Sequence, residues 1–394
     1  MFYNAQGNYC PNSRDCIGAK YVQADFNKYL PVSDARVYIY ESAMNTLIGQ
    51  GITDSGGHFT IRWDTFFYNI PMYIRWRPIQ KDGRFAIRTP SGGQWNFNTG
   101  LIQPDTNTTL SSPQILGAFY WGSSSSPEPV SNLYNGAWRM WYYALNSSSR
   151  MRAYFNDVEI RADSDKGGKC PTSCANGGQN RIDIDSVNSM YAPQARILHE
   201  MGHIASYRAS YHQNYKYGGD YEWPNTGKNG SWSLTSSEWG AAQFEEGLAT
   251  FYGDRAIYWQ AATEPHTCYA SKLPCSNGSY NTESSSGAGS GCAFNEDRFP
   301  ISVVRYLRDL YDSNGDTGIS ASYSEFFETI EDFPGGISNG DKDEPFCDSA
   351  IPFMPDYLCD RHGRSARDFR RHFEARTGEN TLSEWAWNCV PVGD

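Results

Sequence analysis

Between residues 20 and 116 apolar and polar positions alternate in short runs, "KYVQADF", "ARVYIYE", "HFTIRW", "MYIRWRP", "RFAIRT" and "QWNFN", with turn residues between them. In "ARVYIYE", Val37 and Ile39 fall on one side and Tyr38 and Tyr40 on the other, the period-two pattern of a strand with two unlike faces. Short strands at this spacing predict an all-β sandwich. After the Ser/Pro segment "WGSSSSPEPV" the period lengthens, and "SNLYNGAWRMWYYALN" predicts an amphipathic helix opening at Ser131. "DVEIRAD" and "RIDID" predict strands, the latter an edge on which an extended ligand adds itself, and Pro193 opens a further helix. Thr235-Ser236-Ser237-Glu238 is a capping box ahead of a helix through "EWGAAQFEEGLATFYGDRAIYW", and "ISVVRYLRDLYD" is helical in pattern. The expected organisation is a β-sandwich over 1–121 with a disulfide-bearing N-terminal extension, a linker at 122–129 and an α+β domain over 130–394. A length of 394 residues suits two cores.

The chemistry is concentrated in the helix after Pro193. It carries His199-Glu200-Met201-Gly202-His203. Residues four apart share a helix face, so His199 and His203 offer two imidazole nitrogens to one metal, at about 2.0–2.1 Å for zinc. Glu200 then lies beside the metal rather than on it, placed as a general base for water that zinc acidifies. A catalytic zinc wants a third protein ligand and one open position. The metzincin continuation is excluded, because Ser206 and Ala209 stand where it requires Gly and His. Candidates for the third ligand are His212, Asp220, Glu238 and Glu246. Of these, Glu246 has a helical context and a following Gly247 that permits close backbone approach.

Two resemblances follow from these residues. The turn and strand Thr53-Asp54-Ser55-Gly56-Gly57-His58-Phe59-Thr60-Ile61, after a "PVSDARVYIYE" strand, resembles the T-D-x-x-G-x-F-x-I feature of transthyretin-like, carboxypeptidase-regulatory-like modules. The pair of helices resembles the gluzincin zinc peptidases, whose aminopeptidase branch reads N-E-G-F-A at the third ligand. Glu246-Gly247-Leu248-Ala249 matches its E-G-x-A core, and Glu245 stands in place of the Asn. That likeness spans about 158–259 and implies zinc held by His199, His203 and Glu246, with Glu200 as catalytic base. It implies a zincin-like catalytic domain and a hydrolase acting on peptide bonds. The spacer of 42 residues between His203 and Glu246 is longer than the aminopeptidase arrangement and reads as an inserted loop.

Thr250, one turn after Glu246, is a candidate partner for a ligand, and Tyr306 or Tyr311 for the oxyanion. Asp312-Ser313-Asn314-Gly315-Asp316 imitates the opening of a calcium loop and makes Ca2+ a candidate second cofactor, although Thr317 and Tyr323 break the pattern and favour a solvated turn.

Charge and cysteine usage narrow the partners. With 33 basic against 44 acidic residues the net charge is −11, which argues against nucleic acid, since no basic surplus is present to displace counterions. Ten cysteines, several close in sequence (Cys10 and Cys16, Cys170 and Cys174, Cys347 and Cys359), predict disulfides and a secreted protein. Cys268, Cys275, Cys292 and Cys389 allow three pairings. No apolar run approaches a membrane span, and the opening "MFYNAQGNYC" lacks the pattern of a signal peptide, expected to have been removed. The expected partner is a peptide or protein substrate. Rival readings are a non-catalytic secreted binding or adhesion protein on the same scaffold, and a zinc hydrolase of a non-peptide substrate.

Overall fold

The computed structural model describes residues 2–3, 9–10, 32–61, 71–99, 101, 127–162, 173–184, 194–209, 240–257, 300–311, 321–332 and 366–379. Two short strands, β1 (Phe2–Tyr3) and β2 (Tyr9–Cys10), pair with each other. The remaining strands form one mixed sheet: β3 (Ala35–Glu41), β4 (Leu47–Ile52), β5 (Met72–Gln80), β6 (Phe85–Arg88), β7 (Phe97–Asn98), β8 (Val158–Ala162), β9 (Ser173–Asn176) and β10 (Arg181–Ile184). Their order is β4-β3-β5-β6-β8-β10-β9, with β7 also paired to β5.

The join in this sheet bears on the expected division into a sandwich and a catalytic half. β6, from the first part, lies parallel to β8, from the second, with Phe85 opposite Val158 and Ile87 opposite Ile160. β5 makes the join possible because its alternation never breaks: every second residue from Met72 to Gln80 is buried. Its Met72 and Ile74 pack into a small cluster with Val37, Ile39 and Ile61. Its Trp76 reaches the large core that also holds Phe85, Ile87, Ile160 and the helices. The segment expected as a linker differs as well. Residues 127–129 already form the first turn of α1 (Pro127–Arg139), which continues through a π-turn over Met140–Ala144. Proline suits a first helical turn, where its missing N–H has no acceptor to serve. α1 is tied to the strand region, since Tyr134 donates to the Ser33 carbonyl (3.0 Å) and the Trp138 indole to Asp34 (2.9 Å).

The "TDSGGHFTI" turn is built as its residues suggest. One oxygen of Asp54 accepts from the backbone N–H of Gly56 (2.8 Å) and His58 (2.9 Å), while Gly57 takes φ 76°, a value glycine adopts without strain. The strand expected from it is not formed over 58–61, whereas β4, "LIGQGI", pairs with β3 instead. "RIDID" is likewise not an edge. β10 is flanked by β8 on one side and β9 on the other, which leaves β9 outermost among the described strands.

The helices after α2 (Ser149–Tyr154) are α3 (Gln194–Ala209), α4 (Gly240–Ile257), α5 (Pro300–Tyr311), α6 (Tyr323–Asp332) and α7 (Ala366–Thr377). Every residue of α4 from Phe244 to Asp254 is buried, so it is the central helix, with α3 packed on one side and α5 on another. Among the described residues no helix is long and apolar enough to cross a membrane.

Candidate metal centre

α3 and α4 meet backbone to backbone. A Cβ on Gly202 would lie 2.7 Å from both the Cα and the carbonyl oxygen of Ala249, so only glycine permits the contact. Gly247, the glycine beside Glu246, serves a different approach: its missing Cβ makes room for Val303 and the Pro300 carbonyl of α5. Close approach of α3 to α4 therefore comes from inside the His-Glu-Met-Gly-His run itself.

The approach places three donors together. The Nε2 atoms of His199 and His203 are 3.0 Å apart, and Glu246 Oε2 lies 3.0 Å from the first and 3.2 Å from the second. Donors at 2.0–2.1 Å from a tetrahedral zinc stand about 3.3 Å from one another, so this triangle has nearly the dimensions that the ion requires. The imidazoles are set edge to face, 88° between planes, which lets both nitrogens aim at one point. Within the described residues, His199, His203 and Glu246 are the one group of His, Cys, Asp and Glu side chains with metal-binding geometry.

The charges at the triangle act strongly on one another. Glu200, Glu245 and Glu246 are all buried, and Glu246 lies against both imidazoles. Burial alone would lower the pKa of His203, but the charge and hydrogen bond of Glu246, with Glu200 and Glu245 behind them, raise it to about 9. Burial lowers His199 to about 4 against the opposing pull of Glu246. Burial would raise Glu246, yet the neighbouring imidazoles hold it down to about 2. At neutral pH the metal-free site therefore carries one proton that a metal must displace, the one on His203. Zinc affinity should rise about tenfold per pH unit up to about pH 9 and level off above it. Chelator competition across that range measures the slope, and a flat profile would show that His203 carries no proton to lose.

Thr250 sets the form of His199. Its hydroxyl donates to the Glu246 carbonyl (2.8 Å), so at its 3.0 Å contact with His199 Nδ1 it must accept. Nδ1 then carries the ring hydrogen, and Nε2 keeps its lone pair toward Glu246 and His203. Thr250→Val, which keeps shape and removes the hydroxyl, should weaken zinc binding about 10–100-fold, while Thr250→Ser should stay near the parent. Equal losses in both variants would mean that Thr250 contributes packing alone.

Other residues singled out by sequence fall elsewhere. Glu245, in the place of the Asn, is buried and accepts from Ser206 of α3 (2.7 Å). Only the fold reveals that partner. Tyr306 and Tyr311 lie in the core, the first edge-on to Phe369 and the second between Phe251 and Phe326. His212, Asp220, Glu238, the Asp312–Asp316 segment and all cysteines except Cys10 and Cys174 lie outside the described residues. Cys174 is disulfide-bonded. Compared with known proteins, the chain matches no protein family, no curated protein and no solved structure.

Proposed function

We propose that this protein is a secreted zinc-dependent peptidase in which His199, His203 and Glu246 hold one zinc ion and Glu200 is the general base. The observation that carries the reading is the buried triangle of two imidazole nitrogens and one carboxylate oxygen, 3.0–3.2 Å on a side, with Glu200 next in sequence to His199. When bound, zinc would supply a Lewis acid for the substrate carbonyl and lower the pKa of a coordinated water. The protein's own residues do the remaining work. His199 and His203 donate neutral nitrogens from one helix face, and Glu246 contributes the anionic ligand from the second helix. Glu200, buried and close enough to His203 to shift its titration, takes the proton of the attacking water and returns it to the leaving amine. The disulfide at Cys174 supports an oxidising compartment.

Purified protein should contain one zinc per chain, cleave members of a peptide library, lose that activity to a chelator and regain it with added zinc. One bound zinc without peptide cleavage would favour a binding protein, or a hydrolase of another substrate, on the same scaffold.

A further inference from the structure

The sheet carries a second constellation, separate in residues from the metal centre. On the face of β3 and β5 opposite the Val37, Ile39 and Ile74 cluster, two copies of one arrangement stand side by side. In one, the Arg77 guanidinium lies over the Tyr38 ring at 4.5 Å and its Nε donates to Asn96 Oδ1 (3.1 Å). In the other, Arg75 lies over Tyr40 at 4.4 Å and its Nε donates to Asn98 Oδ1 (2.9 Å). In each copy a second nitrogen is also held, by Tyr40 Oη for Arg77 and by Tyr73 Oη for Arg75, both at 2.9 Å. The outer nitrogen, Nη1, makes no hydrogen bond in either arginine, and neither guanidinium has a carboxylate partner among the described residues.

Two half-buried arginines without an acid are unusual company in a chain with 11 more acidic than basic residues. Stacking on tyrosine and the hold of asparagine fix both guanidinium planes in advance, so little side-chain freedom remains to be lost on binding an anion. Arg75 and Arg77 are two residues apart on one strand, about 6.8 Å. The same interval separates alternate side chains of any extended peptide. We propose that this face binds an extended acidic peptide segment whose carboxylates recur at every second residue, one to each guanidinium. It would act as an accessory docking surface, and its binding is read independently of metal or turnover.

The test is fluorescence anisotropy with labelled (Glu-Thr)4 against the full-length chain carrying Glu200→Gln, so that hydrolysis cannot consume the probe. Saturable, salt-sensitive binding is expected. (Gln-Thr)4 should bind at least tenfold more weakly, and (Glu-Glu-Thr-Thr)2, equal in charge but wrong in spacing, several-fold more weakly. Arg75→Gln with Arg77→Gln should remove at least tenfold of the affinity, with circular dichroism checking its fold. The two control peptides decide the question on the intact face if that variant misfolds. No binding of (Glu-Thr)4, equal binding of either control, or undiminished binding by the folded double variant would overturn the proposal. So would displacement of (Glu-Thr)4 by a sulfated saccharide at lower concentration than by unlabelled peptide, since the face would then be a polyanion site.

Discussion

Glu200→Gln should lower peptide hydrolysis by about 10²–10⁴-fold while one zinc per chain stays bound. The amide is nearly the same size as the carboxylate but cannot take a proton from water at neutral pH. It leaves His199, His203 and Glu246 in place, because Glu200 is not one of the three donors that converge. A second effect runs the other way. Glu200 is among the charges that raise the pKa of His203, so its loss should make the metal-free imidazole easier to deprotonate and zinc slightly easier to bind at neutral pH. Activity and metal content therefore separate in this variant. Turnover close to the parent would remove Glu200 from the mechanism.

Glu246→Ala should remove both together, reducing zinc affinity by more than the about 10–100-fold typical of losing a ligand's outer partner. It deletes the only anionic donor of the triangle and leaves the two Nε2 atoms, 3.0 Å apart, with no other converging oxygen among the described residues. Glu245→Gln is the control, one position away and turned about 100° round the helix. Its carboxylate is engaged by Ser206, and the amide oxygen can still accept that hydrogen bond, so zinc should be retained. Isothermal titration of the three variants separates ligand, base and neighbour. If the Glu246 variant bound zinc as tightly as the parent, the third ligand would have to be sought at His212, Asp220 or Glu238.

The parts of the site that are legible in sequence are those set by local geometry. His199 and His203 share a face because they are four apart on one helix, and no tertiary information is needed to see it. Glu246 is marked in sequence by its helical context, the following Gly247 and its resemblance to an E-G-x-A segment, and not by what the helix faces, because nothing local says what a helix beginning near residue 240 will meet. Gly202 shows the limit: its purpose is a contact with Ala249, 47 positions away, and a glycine inside a helix otherwise reads only as a weak point. The strand region divides in the same manner. The alternation in "ARVYIYE" and "MYIRWRP" finds β3 and β5 directly, whereas the parallel pairing of β6 with β8 joins residues more than 70 apart and leaves no periodic trace in either. Composition misdirects at Pro127, where a Ser/Pro run reads as a linker but two prolines occupy a first helical turn.

The paired glycines of the central helices set the spacing of the donor triangle. Gly202 lets α3 rest against the backbone of α4, and on another side of α4 Gly247 is closed off by Pro300 and Val303 of α5. α4 cannot retreat without running into α5, so the distance from Glu246 to the two imidazoles follows from how closely α3 rests on α4. A cation that wants about six to eight oxygens, as calcium does, finds in this triangle two imidazole nitrogens and one carboxylate oxygen, donors too few and of another chemical kind. The spacing of the triangle thus resides in the distance between two main chains, where exchanging one of its side chains for another would not undo it.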